Sequence, residues 1–308
     1  MSMDNNYLTY DKRQYGMDHE RYDWSRLDQR QAVQWPNDKK VALWINVNLQ
    51  YFPLNQSKGP VKVPGGMTMP YPDLRHFSLR EYGNRVGIFR VLRALEQRGL
   101  KASFAVNGRL AEKYPTLIQR VSKGDGEIIC HGWQMDAMHY GGMDINQERE
   151  LIQRSLDSVA MASGKPITGW LSPGKNESEN TPDLLAECGF EYSCNWVNDD
   201  MPYSFNTRTK PLVAMPLSSE LSDFMILLNN QHAEQSYQEQ ITDAFNLLLN
   251  EAEQSGGRIL ALEIHPWLLG HAHRIKYFEQ ALDYIAQHPI TWSATPSEIL
   301  TCWQTQQS

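Results

Sequence analysis

Apolar and polar positions follow one another in blocks along this chain, and the blocks set out its elements. Lys40 to Phe52, KVALWINVNLQYF, is a nearly unbroken apolar run of strand length, as expected of a parallel strand covered on both faces, and its C-terminal end carries Asn46, Asn48 and Gln50. SLREYGNRVGIFRVLRALEQRGL changes the period: Ile88, Leu92 and Leu95 share one helical face, and Gly99 is the stop. KASFAVNG, GEIICHG, ITGWLSPG, EYSCNWVND, PLVAMPL, RILALEIHP and ITWSATP read as further strands. They are separated by helical stretches that include AEKYPTLIQRVSKGD, DINQERELIQRSLDSVAMASG ending at Gly164, and a helix from about Gln235 to Glu253. Strand alternating with helix predicts an α/β fold, either a (β/α) barrel or a doubly wound sheet.

Both architectures place chemistry at the C-terminal ends of the strands. The polar residues that close the apolar runs are Asn48 and Gln50, Asn107, His131, Ser172, Asn198 with Asp199 and Asp200, and His265, and a barrel would bring them to one rim. Residues 1–38 read as an irregular N-terminal extension closed by Pro36-Asn37-Asp38, and 39–308 as a single catalytic domain. The long Pro- and Gly-bearing stretch 53–77 reads as a lid or rim.

Composition narrows the class. With 308 residues, 41% hydrophobic and 21% charged, the chain has ordinary globular usage. A net charge of −7 argues against nucleic-acid or anionic-membrane partners, which call for clustered Lys and Arg, and favours a small-molecule substrate. The polar start MSMDNNYLTYDKRQYGMDHERYDW lacks the apolar core of a signal peptide, and no run is long enough to span a bilayer, so a cytoplasmic location is the expectation. The four cysteines, Cys130, Cys188, Cys194 and Cys302, lack zinc-site spacing and read as reduced, mostly buried thiols.

GEIICHGWQMDAMH, LSPGKNESENTPDLLAECGFEYSCNW and LEIHPWLLGHAHR, in that order, resemble blocks of the NodB-type polysaccharide deacetylases, and in particular their allantoinase-like, metal-independent branch. The resemblance runs from about Lys40 to Ile299 and implies a distorted (β/α) barrel with fewer strands than the regular eight, and a homo-oligomer. Typical members hold a divalent metal with an Asp of the first block and two His spaced four apart. Here Met135 stands four residues after His131, and Asn46, Asn48 and Gln50 occupy the stretch of the first-block acids. Amides are weak metal ligands and take up no proton near neutral pH. Two readings follow: a protein that works without a metal, its amides hydrogen-bonding a polar substrate, or one that holds zinc or another divalent ion through His131, Asp136 and His139.

His131, ending an apolar strand before Gly132, is the leading site candidate; a satisfied core histidine is the plainer alternative. His265 by resemblance takes the position of the acid that protonates the leaving group, against a backbone-capping histidine. Asp199, with Asp136 and Glu177 as rivals, is the candidate general base, although an Asp in such a loop also caps turns. Asn48, Gln50, Trp133, His139, Ser172, Glu177 and Arg274 are candidate substrate contacts. Trp133 serves equally as scaffold, Glu177 as the acidic entry to a helix, and Arg274 as an exposed helix-start arginine. Together these predict a hydrolase acting on a non-peptide C–N bond, in an amide, ureide, imide or N-acyl group. The alternatives are a metal-dependent carbohydrate deacetylase and a ligand-binding relative without catalysis.

Overall fold

β1 (Val41–Leu49) is buried at every position and forms the centre of the molecule, because parallel neighbours and helices cover both its faces. The structure is a computed structural model that describes residues 19–55 and 73–307. The first eighteen residues of the N-terminal extension and residues 56–72 of the expected lid lie outside the described part. β1 pairs in parallel with β2 (Ser103–Val106), with β8 (Arg258–Ile264) and with the short β9 (Thr291–Ser293). Beyond β2 the sheet continues through β3 (Glu127–Cys130), β4 (Gly169–Trp170), β5 (Tyr192–Ser193) and β7 (Leu212–Ala214) to β6 (Tyr203–Phe205), which returns antiparallel to β7. The sheet curls into a distorted (β/α) barrel, as the alternation of strand and helix predicted. β6 is absent from the apolar pattern, since its residues Tyr203 and Ser204 keep contact with solvent.

The period of two along each strand divides the core. Leu43, Ile45 and Val47 of β1 face outward into the layer beneath the helices, whereas Ala42 and Trp44 point inward with Ile129, Tyr192, Met215 and Ile259. The inward series of β1 then becomes polar, Asn46 and Asn48, followed just past the strand by Gln50; that of β8 runs Ile259, Ala261, Glu263, and reaches His265 beyond its end. The barrel interior is therefore apolar at its base and polar at its mouth. Val33 and Trp35, from the N-terminal lead-in, belong to the basal cluster, and the Trp35 indole donates to the Arg258 carbonyl at 2.9 Å.

Helices wrap the outside: α1 (Leu74–Tyr82) and α2 (Ile88–Glu96), joined by a π-helical turn at Gly83–Gly87; α3 (Gly108–Lys113) and α4 (Pro115–Val121), separated at Pro115; and α5 (Ile145–Ser163), capped by Asp144 and ended by Gly164 at φ 66°. They are followed by α6 (Thr181–Glu187), α7 (Glu234–Ser255), α8 (Pro266–Leu269), α9 (Ile275–Ala286) and α10 (Pro296–Gln304). A second π-helical turn, Phe224–Asn229, precedes α7. Among the described residues no helix is long and apolar enough to cross a membrane. The cysteines are unbridged, Cys130 and Cys194 buried and Cys188 and Cys302 half-buried.

Candidate active site

The ends of β1, β3, β4 and β8 open onto a cavity of about 340 Å³, lined by Gln50, His131, Ser172, Lys175, Glu263 and His265 among others. His131 and His265, separated by most of the barrel in sequence, thus face one space. Neither is free to rotate. His265 receives Asp223 from the segment after β7: its main-chain N–H donates to Asp223 Oδ2 at 2.9 Å, and its Nδ1 lies 2.7 Å from Oδ1. The Asp223 carboxylate is completely buried.

A chain of hydrogen bonds fixes the tautomer of His265. The Trp44 indole, which can only donate, gives its hydrogen to Ser103 Oγ at 2.8 Å, and Ser103 donates in turn to Asn46 Oδ1 at 2.8 Å. Asn46 must then present its amide nitrogen to Asn48 Oδ1 at 2.8 Å. Asn48 is left presenting Nδ2, which donates to Glu263 Oε1 at 2.8 Å and lies 3.1 Å from His265 Nε2. Nε2 is therefore the acceptor, and the imidazole proton resides on Nδ1, against Asp223. His131 is set the same way. The Trp267 indole donates to Gln50 Oε1 at 3.1 Å, which aims Gln50 Nε2 at His131 Nε2, 3.4 Å away, while His131 Nδ1 donates to the Leu171 carbonyl at 2.8 Å. Burial, opposed in part by that carbonyl, holds His131 down to a pKa of about 4, so it is neutral at physiological pH.

Glu263 and Lys175 were not among the residues expected from sequence. Glu263 lies inside a strand that reads as apolar; its signal was the inward period that leads from Ala261 through Glu263 to His265. Burial pushes its carboxyl up, but Lys175, His265 and Asn48 outweigh that and hold it below the usual carboxylate range. Lys175, in the left-handed region at φ 57°, places Nζ 3.1 Å from Glu263 Oε2, 2.7 Å from the Leu217 carbonyl and 2.9 Å from Ser219 Oγ, so each ammonium hydrogen has an acceptor. Ser172 is the reverse case. Its Oγ accepts from the Trp170 indole at 2.8 Å and from Asn195 Nδ2 at 2.9 Å, which leaves its own hydroxyl hydrogen to point into the cavity.

Other expected residues lie elsewhere. Asp199, expected as a base, is paired with Arg30 through contacts of 2.7 and 2.6 Å and accepts from the Met201 N–H; it caps a turn and anchors the N-terminal lead-in. Asp136 accepts from Gln134 at 2.6 Å and is not part of the cavity wall. Glu177 is turned toward Asn195 Nδ2 at 2.6 Å and the Trp196 indole at 2.9 Å, behind Ser172. His139 is sealed under α5, 2.8 Å from Glu148, whose carboxylate also accepts from Ser178 and Thr181. Burial would raise Glu148, but these three partners keep it below the usual range. Trp133 is buried beneath the Arg154 guanidinium, 3.7 Å from its ring centroid, and Arg274 lies 3.3 Å from Glu234; neither lines the cavity. Asn107, another strand-end residue, ties the rim together by accepting from the Tyr51 N–H at 2.7 Å and donating to the His131 carbonyl.

The set proposed for a metal, His131, Asp136 and His139, is not assembled, and among the described residues no three His, Cys, Asp or Glu are grouped so as to hold a metal ion. At His131 Nε2 the position a cation would take faces the Gln50 N–H, and the other nearby wall residue of the expected motif is the Met135 thioether. These donors do not fit a hard or borderline divalent ion.

Comparison with known proteins agrees with this architecture. Residues 81–193 match the family described as polysaccharide deacetylase. A Schizosaccharomyces pombe protein named as a candidate polysaccharide deacetylase is 22% identical over 298 residues, which span 87% of this chain and 92% of that protein. The crystal structure of the PuuE allantoinase superimposes with a TM-score of 0.78 at 22% identity, covering 88% of this chain and 92% of the other. A candidate polysaccharide deacetylase from Pseudomonas aeruginosa gives 0.78 at 23% identity, with 88% and 93% covered. The fold is shared with both, and residues 81–193 are similar to the polysaccharide deacetylase family.

Proposed function

We propose that this protein hydrolyses a non-peptide C–N bond of a small polar molecule and that the His265–Asp223 pair moves the proton. The observation that carries this reading is His265 Nε2, left unprotonated by the amide chain, facing the cavity with a buried carboxylate behind the ring. The relatives, named as deacetylases and an allantoinase, are hydrolases of such bonds.

In this mechanism water displaces the Asn48 N–H from His265 Nε2, and that nitrogen takes a proton from the water as its oxygen adds to the substrate carbonyl carbon. Asp223 and the ionised Glu263 stabilise the imidazolium that results. The Ser172 hydroxyl donates to the oxyanion. When the C–N bond breaks, Nε2–H delivers the same proton to the departing nitrogen, so one residue serves as base and then as acid. This differs from the expectation that a separate carboxylate acts as base, because Asp199, Asp136 and Glu177 are all engaged away from the cavity.

His265→Gln, which keeps an N–H for Asp223, is expected to lower turnover by roughly 10²–10⁴ with an unchanged melting profile. The assay is acetate release or ring opening across N-acetyl sugars, small ureides and imides. Wild-type turnover in the variant would remove the role.

A further inference from the structure

Arg80, on α1, is a cation in the cavity wall, and among the described residues no counter-charge is in contact with it. The residue is 3% exposed, and its guanidinium carbon lies 3.2 Å from the Trp267 ring centroid and 4.8 Å from that of Phe52. Ring faces attract the guanidinium but accept no in-plane hydrogen bond of ordinary strength. Among the described residues Nη2 reaches only His76 Nε2, at 3.4 Å, and Nε and Nη1 have no partner. Burial lowers Arg80 to a pKa of about 9, against the support of Asp223, and it remains a cation at neutral pH.

The neighbouring charges are already engaged. Asp223 accepts twice from His265, Glu263 holds Asn48 and Lys175, and the hydrogens of Lys175 are all taken. A buried cation with unmet donors is costly unless an anion completes it, and planar carboxylates match guanidinium donors well. The same cavity wall includes hydrocarbon and thioether, from Met135, Met138, Phe224 and Met225, which suits an aliphatic group.

We infer that the cavity takes a small amide bearing a carboxylate, an N-acyl derivative of an apolar amino acid, with the carboxylate on Arg80 and the scissile carbonyl at His265. The inference rests on the hydrolase reading for the second contact and on Arg80 alone for the first. A cavity of about 340 Å³ accommodates a molecule of that size.

The test is calorimetric titration of the full chain with N-acetylmethionine and with its neutral carboxamide, alongside turnover of both. The acid is expected to bind at least about 30-fold more tightly than the amide. Arg80→Gln should abolish the difference, and Arg80→Lys should retain part of it. Equal binding of acid and amide to the wild-type protein overturns the inference, as does failure to bind either. Acid-selective binding without turnover supports the carboxylate site and counts against the hydrolase reading; turnover without preference for the acid does the opposite. Should Arg80→Gln fail to fold, the wild-type contrast and Arg80→Lys still decide.

Discussion

At the scale of single residues, the chemistry depends on groups that touch no reacting atom. Trp44 lies at the start of a chain that ends at His265 Nε2; its indole hydrogen sets Asn46, and the Glu263 carboxylate, which only accepts, sets Asn48 from the other end. Trp44→Phe keeps the ring and removes that donor. Ser103 then satisfies Asn46 from either side and Asn48 is held by Glu263 alone, so the N–H against His265 Nε2 is less firmly placed; a shift in the imidazole ¹⁵N resonances is expected, with turnover down about tenfold and a stability cost of about 1–2 kcal/mol. An unchanged ¹⁵N spectrum would show that Asp223 and Glu263 set the ring without Trp44. His131 gives a pH signature of its own. Its pKa is near 6.5 in the unfolded chain and about 4 when folded, so between those values the unfolded chain binds a proton that the folded one does not. The stability it contributes is complete above pH 6.5 and is lost as pH falls toward 4, amounting to about 3 kcal/mol. Denaturant midpoints measured from pH 7 to 4 should therefore fall less steeply in His131→Gln than in the wild-type protein. His131 and His265 were legible in sequence because a polar residue closing an apolar run is conspicuous. Glu263 and Arg80 were not, since one sits in an apolar strand and the other in a polar helix, and only the fold turns them toward a shared space.

At the scale of elements, the apolar periodicity predicted most strands and helices, and it failed where backbone contact replaces side-chain pattern. A helix entrance followed by an amphipathic helix with a stop at Gly99 was expected after residue 78; the structure has α1 beginning earlier, at Leu74, and passing into α2 through the π-helical turn at Gly83–Gly87, which the pattern did not show. The reason lies in α8. A Cβ on Gly87 would stand 2.0 Å from the Pro266 carbonyl oxygen, and one on Gly83 would stand 2.5 Å from the Trp267 nitrogen, so only glycine lets the two helices meet backbone to backbone. No reading of a single segment reveals that approach. It matters to the site because α8 begins beside His265 and carries Trp267, which orients Gln50 and covers Arg80. Gly87→Ala is expected to destabilise the fold by about 1–3 kcal/mol through overpacking and to raise KM more than it lowers kcat. Stability within error of the wild-type protein in a urea titration would show that α8 yields freely.

At the scale of the whole molecule, the curled sheet has two ends that do not pair: β8 closes one and the β6–β7 hairpin the other. Backbone hydrogen bonds cannot join them, and among the described residues side chains of the candidate site do so instead. Asp223, beyond β7, accepts the main-chain N–H of His265 past the end of β8, and Lys175, beyond β4, reaches both Leu217 on the β7 side and Glu263 on β8. The seam of the barrel and the proton-handling pair are thus one structure, so stability and activity should respond together when it is cut. Lys175→Met leaves Glu263 ionised, buried and without its cation, which is expected to cost about 3–5 kcal/mol. Adding Glu263→Gln removes the stranded charge. The double variant should recover most of the stability lost by Lys175→Met, giving a coupling well above the few tenths expected of independent sites. Its turnover should stay low, because the His265 imidazolium has lost Glu263 as a neighbour. Additive losses in a double-mutant cycle read by chemical denaturation would mean that the ends of the sheet are held by packing, with the ion pair a passenger at the mouth of the barrel.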